Sequence, residues 1–214
     1  SIKMGTLEKK PNSQSIHTNL QDLEVRYSTA ALVEGIVKLI SSNPIEDRYK
    51  IHKVGFFNKG RKSLTLFTNS PTPLRELYID GRDRDIYNTL LNFFLAVDKH
   101  LWATAKSNSR IITTVGLLAL FDILKVTLII HGNDHQKFEE AISQLDKIDF
   151  SLEYFKTSGA ARPQIRNMFK YLYYKKLQNL DNLENDSLLK EYQKIKEDNG
   201  NEFDRIVKQS INLV

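Results

Sequence analysis

Six Lys or Arg residues and not one Asp or Glu lie in the 25 residues from Lys156 to Leu180. A turn of small residues in this segment precedes a predicted helix that carries three cations at intervals of four residues. Backbone N–H groups exposed at a helix start, with cations on the following turns, are a typical arrangement for holding phosphate. The competing interpretation is a solvated helix face in which the glycine only turns the chain. The predicted anion-binding residues are Ser158, Gly159, Arg162, Arg166 and Lys170.

The helix that must position these cations is predicted from an apolar stripe. Apolar residues between Ile165 and Leu172 fall at i, i+3, i+4 and i+7, the core-facing pattern of a helix. Pro163 suits a first turn, so the helix is expected to begin near Arg162 or Pro163. The three cations lie beside the stripe and are expected to face solvent.

Three tyrosines on the same helix, Tyr171, Tyr173 and Tyr174, have rings that can stack on bases, as in proteins that bind single strands. Packing is the preferred interpretation, because helical spacing turns one side of the cluster toward the core. Neither interpretation identifies a reaction.

A second group of polar residues is the acidic run IDGRDRD, which contains Asp80, Asp83 and Asp85. These carboxylates could bind a divalent cation for phosphodiester chemistry. The preferred alternative is local, because the interleaved Arg82 and Arg84 neutralise them and acidic residues are favoured at a helix start.

No catalytic residue, metal site or cofactor is predicted from the remaining sequence. His131 and His135 are four residues apart but straddle a Gly-Asn break, so they need not share a helix face. The common phosphate-loop, dinucleotide, nucleophile-elbow and zinc-protease motifs are absent. The lack of cysteine excludes thiol chemistry and Cys-ligated metals, and it fits a reducing compartment.

The charge of the chain is unevenly distributed. Residues 1–180 hold 26 basic and 18 acidic residues, a net charge of +8, whereas residues 181–214 hold 5 basic and 8 acidic, a net charge of −3. A basic body favours a polyanionic partner such as a nucleic acid, and the alternative is that a charge of +8 over 180 residues is common in ordinary soluble proteins. The first residues contain no apolar signal core, so a cytoplasmic location is expected.

The chain is predicted to be mainly helical (α+β), with a main domain over residues 1–180 and an acidic helical extension over 181–214 packed on it. A small β-hairpin is expected near residues 49–68, from β-branched and aromatic residues on either side of an Asn-Lys-Gly turn. Ser107, Asn108 or Ser109 is expected to cap the helix that begins near Ile111. The predicted helices are Asn19–Ser42, Asp83–Ala105, one from Ile111, one from Asp134 to about Leu145, the basic helix, and two from Asn185 onward that break at Asn199-Gly200.

The apolar stretch from Ile111 to Ile130 has roughly the length of a membrane span. Asp122 and Lys125 lie near its middle, where ionisable groups are costly in a bilayer. We therefore expect a buried helix followed by a strand or a second short helix, and no membrane association.

Two segments resemble elements of a known family. Thr114-Val115-Gly116-Leu117-Leu118-Ala119-Leu120 and Ser158-Gly159-Ala160-Ala161-Arg162 are similar to the T-V-G-x-x-A-L helix and the S-G-x-x-R turn in the C-terminal half of DGQHR-domain proteins, the family that includes the DndB regulator of DNA phosphorothioate modification. An aromatic-rich helix ending near Trp102 precedes them here, as in that family, so the resemblance covers roughly residues 87–176. The Asp-Gly-Gln-His-Arg motif itself is absent. The resemblance implies a DNA-modification, regulatory or defence setting, and it transfers no activity.

Three hypotheses of function follow. The leading one is a DNA-associated protein or domain that contacts backbone phosphates through the basic helix. The second is a protein-interaction or assembly domain, in which the acidic helical tail or the aromatic face engages a partner. Salt-insensitive self-association or an exposed apolar helix face would favour it. The third is a metal-dependent nucleic-acid or nucleotide enzyme, which requires the carboxylates of the acidic run to converge on a pocket facing Arg162.

Overall fold

The architecture is helical throughout the part of the chain that the computed structural model describes, which is residues 27–53, 60–66, 72–156, 159–179 and 186–212. Within these ranges lie eight α-helices and no β-strand. Short 3-10 turns and one π turn connect them. The helices are α1 (Thr29–Ile40), α2 (Pro44–His52), α3 (Arg75–Ile79), α4 (Asp83–Val97), α5 (Thr114–His131), α6 (His135–Ile142), α7 (Ala161–Asn179) and α8 (Asp186–Ile211).

The predicted hairpin is wrong where the structure describes its residues. Tyr49 to His52, expected in a strand, are the last residues of α2, and Gly60–Ser63 form a 3-10 turn. Residues 54–59 and 67–71 lie outside the described residues. The reason is a strong helix start, because the Asn43 side chain accepts a hydrogen bond from Glu46 N and Pro44 fills the first turn.

Local capping also sets the start of α5. The helix begins at Thr114, where the Thr113 side chain accepts a hydrogen bond from Gly116 N. A cap at Ser107, Asn108 or Ser109 is therefore a wrong prediction, because the 3-10 turn Arg110–Ile112 separates these residues from the helix. By contrast, Asp134 caps α6 as predicted.

The core is one continuous cluster of buried apolar side chains that draws on most of the helices. α5 packs against both α1 and α7, α4 packs against α6, and α7 packs against α8. Aromatic rings join the helices, since Phe94 stacks on Trp102 and meets the edge of Phe121. The π turn Asp98–Trp102 ends α4, and the Trp102 indole N–H donates to the Ile111 carbonyl oxygen at 3.2 Å.

α5 is the one helix among the described residues that is long and apolar enough to cross a membrane. Half of this segment is buried inside the structure, and Asp122 on it pairs with Arg162 of α7. Burial against neighbouring helices therefore accounts for its apolar sequence. The expected change to a strand or second short helix within the stretch is wrong, because α5 runs unbroken to His131.

α8 contradicts the predicted break at Asn199-Gly200, because the helix is continuous over 26 residues. Gly200 is buried within it, next to the Tyr171 ring of α7. A glycine inside a helix costs about 1 kcal/mol. Burial of apolar side chains before and after Gly200 outweighs that cost. The buried side chains are Tyr192, Ile195, Phe203 and Ile206.

Candidate anion-binding surface

Arg162 links three helices through its guanidinium group. Its Nε and Nη2 donate to the two carboxylate oxygens of Asp122 on α5, at 2.7 and 2.6 Å. Nη1 lies 3.4 Å from Glu34 Oε1 on α1. These bonds raise the pKa of Arg162, chiefly through the Asp122 hydrogen bond. Arg162 is therefore a helix-positioning residue whose charge is already balanced.

Arg166 lies one turn further along α7 and makes weaker contacts with neighbouring side chains than Arg162 does. Its Nη1 lies 3.9 Å from the Asp122 carboxylate, and its Nε makes only a 3.4 Å bond to the side chain of Asn167. More than a third of the side chain is exposed. Of the three predicted cations, Arg166 is the one best able to accept an external anion.

Lys170 departs from the prediction that it faces solvent. Its Nζ lies 2.6 Å from Glu191 Oε1 on α8, and only 12% of the side chain is exposed. Tyr174 donates to the other oxygen of Glu191 at 3.0 Å. The sequence pattern identified one buried stripe on α7, but α8 covers a further side of the helix.

The turn before α7 is only partly described, since Ser158 lies outside the described residues. Gly159 is exposed and has φ of +82°, a left-handed conformation that favours glycine. α7 begins at Ala161, with Pro163 in its first turn, so the predicted start of this helix is confirmed.

Two further cations, absent from the predicted site residues, belong to the same region, because Lys125 interacts electrostatically with both Asp122 and Lys38. Lys125 follows Asp122 by one turn on α5 and has no ion pair among the described residues. Burial lowers the pKa of Lys125, and the nearby charge of Lys38 acts in the same direction. Lys38 itself pairs with Glu34 at 2.5 Å. The sequence does indicate Lys125 as a candidate, because Asp122 and Lys125 are the two charged residues of an otherwise apolar helix.

Together these side chains form what we term the α1/α5/α7 cluster. It contains four cations and two carboxylates, so its net charge is +2. The carboxylates are bound mainly by Arg162 and Lys38, which leaves Lys125 and Arg166 under-compensated. The members are Glu34, Lys38, Asp122, Lys125, Arg162 and Arg166.

The tyrosines of α7 pack in the interior. The rings of Tyr171, Tyr173 and Tyr174 are all nearly inaccessible. Each hydroxyl has a polar partner, as in the 2.6 Å bond between Tyr173 Oη and His131 Nε2. Burial raises the pKa of Tyr171 to about 12. The packing interpretation accounts for all three rings, and none has a face open to a base.

The acidic run does not form a carboxylate cluster. Asp80, Asp83 and Asp85 each pair with a different cation, at 2.7, 2.5 and 2.6 Å, and those partners are Lys62, Arg61 and Arg82 respectively. No group of three or more His, Asp or Glu side chains within the described ranges is arranged to hold a metal ion. This arrangement gives the metal-dependent enzyme hypothesis no support.

No protein-family model matches this sequence. No curated protein matches it. No solved structure matches it either. The resemblance to DGQHR-domain proteins stays a prediction.

Proposed function

We propose that this protein associates with DNA by binding backbone phosphate at the α1/α5/α7 cluster, with Lys125 and Arg166 as the principal contacts. The observation that carries the proposal is the net charge of +2 on that cluster, with its two least compensated cations on adjacent helices. The setting in DNA modification, regulation or defence follows only from the family resemblance.

In the proposed complex the pair between Arg162 and Asp122 stays intact. Arg162 holds Asp122 through two hydrogen bonds, so this carboxylate is occupied and fixed in place. An incoming phosphate oxygen would then accept hydrogen bonds from Lys125 and Arg166, whose charges are otherwise weakly balanced. Contacts of this kind position a protein on the duplex and carry no base specificity.

The test is a salt series with a short fluorescein-labelled DNA duplex, comparing the wild type with the double variant Lys125→Ala/Arg166→Ala. Each phosphate contact contributes about 0.9 to the slope of log K against log salt. The double variant should therefore bind more weakly, with a slope smaller by about 1.8 and an equal loss for unrelated sequences. Arg162→Ala is unsuitable, because it would leave Asp122 without its main partner.

The matched control is Lys194→Ala/Lys208→Ala, which removes two exposed cations of α8 and changes the net charge equally. This control should retain the wild-type slope. If the control lost as much affinity as the cluster variant, or if the cluster variant bound like the wild type, the proposed phosphate site would be wrong.

A protein-interaction domain is the second candidate function. The specific observation in its favour is an exposed apolar pair on α2, where Ile45 and Tyr49 have most of their surface in solvent. Exposed apolar side chains rimmed by charge are typical of interaction surfaces.

A further inference from the structure

The outer face of α2 combines two apolar side chains with an arginine and a histidine on one stripe. Ile45, Arg48, Tyr49 and His52 fall at i, i+3, i+4 and i+7, so they share a helix face. Ile45 is 84% exposed and Tyr49 is 67% exposed. This stripe therefore presents its apolar side chains to solvent, opposite the side by which α2 is attached.

The attachment of α2 is rigid. Asp47, on the inner face, receives two hydrogen bonds from the Arg75 guanidinium at 2.6 and 2.9 Å. Arg75 also donates to the carbonyl oxygens of Thr65 and Ile40, and Ser41 donates to Asp47. Only 3% of the Arg75 side chain is exposed. The outer stripe is thus held on a preorganised platform, which reduces the entropy cost of binding a partner.

Arg48 gives the outer stripe of α2 a positive charge. Arg48 and His52 are exposed and make no ion pair within the described residues, while Glu46 is paired with Lys50 at 2.7 Å. Asp47 is turned inward. The sequence contains no Asp or Glu from Arg48 through Arg75. A ligand that matched this face would carry carboxylates.

An apolar groove runs beside the stripe, between α1, α2 and α3. It has a volume of about 240 Å³, and its walls are mainly Val37, Ile40, Pro44, Ile51 and Tyr78. Arg48 and His52 stand at its edge and also border the outer stripe. The groove can take an apolar side chain whose neighbours reach the Arg48 guanidinium and the His52 ring.

We infer that α2 and this groove bind an acidic amphipathic segment of a protein partner, an inference that rests on the second candidate function. An apolar side chain of the segment occupies the groove and covers Ile45 and Tyr49, while its carboxylates pair with Arg48 and His52. A protein partner is favoured over nucleic acid because the adjoining groove has mainly apolar walls, which suit an apolar side chain better than a phosphate backbone. Tyr and Arg are the residues that most often dominate protein interfaces.

The experiment is a selection of a random peptide library displayed on phage against the wild-type chain, followed by affinity measurement on synthetic peptides. The enriched peptides should carry Asp or Glu beside apolar residues spaced three or four positions apart. Arg48→Ser/Tyr49→Ser should weaken binding by at least about tenfold. Arg84→Ser/Tyr87→Ser, the matched control on the exposed face of α4, should leave it unchanged.

Protection of α2 amides from hydrogen exchange when the peptide binds gives a second measurement on the unmodified chain. If acidic peptides bound the α2 variant as tightly as the wild type, the assignment of this surface would be wrong, but the proposed interaction function would stand. Enrichment of no peptide would overturn both. Two other outcomes would also overturn the inference. One is a labelled oligonucleotide that binds the wild type and the α4 control but not the α2 variant. The other is self-association, detected by sedimentation, that is lost only in the α2 variant.

Discussion

At the scale of single residues, the pairing of Asp47 with Arg75 shows how the chain accommodates a buried charge. The two side chains are 12% and 3% exposed, and two hydrogen bonds of 2.6 and 2.9 Å join them. Hydrogen bonds from Arg75 are the main cause that lowers the pKa of Asp47. Because a buried pair gains little over an apolar replacement, its value lies in fixing α2 in one position.

This pair predicts a specific dependence of stability on pH. The carboxyl pKa is lower in the folded state than its ordinary value of 3.8, so the stabilisation is present above that value and is lost as pH falls through the folded pKa. Asp47→Asn should cost about 3–5 kcal/mol at neutral pH, because Arg75 stays buried without its counter-charge. Urea unfolding should then show a smaller acid-induced loss for the variant than for the wild type.

Asp83→Asn is the matched control, since Asp83 also pairs with an arginine but is 63% exposed. Its effect should be at most about 1 kcal/mol. Equal pH dependence in the wild type and Asp47→Asn would contradict the assigned role of this carboxylate.

At the scale of helices, close approach between α1 and α5 depends on one glycine. Gly35 faces the Phe121 ring, and a Cβ at this position would overlap ring atoms. Gly200 in α8 differs, because a Cβ there would lie 3.4 Å from the flexible Lys196 side chain and 3.7 Å from Tyr171. The two glycines share a helical conformation and differ in the space around them.

Alanine at these two positions should therefore have different effects on the free energy of unfolding. Gly35→Ala should lose about 1–3 kcal/mol through overpacking. Gly200→Ala should be neutral or more stable by up to about 1 kcal/mol, because alanine favours the helix. Urea midpoints measure both, and a Gly35→Ala variant as stable as the wild type would refute the close packing of α1 on α5.

At the scale of the whole molecule, α8 belongs to the same buried cluster as the other helices. Phe203 is fully buried and lies 5.4 Å from the Tyr171 ring of α7 and 6.1 Å from the Tyr154 ring, measured between centroids. The exposed side of α8 carries charged residues of both signs, and its buried side continues the main core.

A shared core predicts that Phe203→Ala destabilises the entire chain. The expected loss is about 3–5 kcal/mol. Trp102, the single tryptophan, lies in the core beside Phe94, far along the chain from the substitution. Its fluorescence and far-UV circular dichroism should report one coincident transition in the wild type and the variant. Helix content that fell before the Trp102 signal changed would instead identify α8 as a separately unfolding unit.

The helical class, the start of α7, its apolar stripe and the Asp134 cap could all be predicted from sequence, because they depend on residues within about four positions of one another. The hairpin and the break in α8 were wrong because local propensity at Tyr49–His52 and Gly200 gave way to capping and burial. Only the tertiary structure decided which cations form close ion pairs with carboxylates. Arg162 and Asp122 are 40 positions apart, and Lys170 and Glu191 are 21 apart. Such pairs form where packed helices bring distant residues together, and no local spacing encodes them.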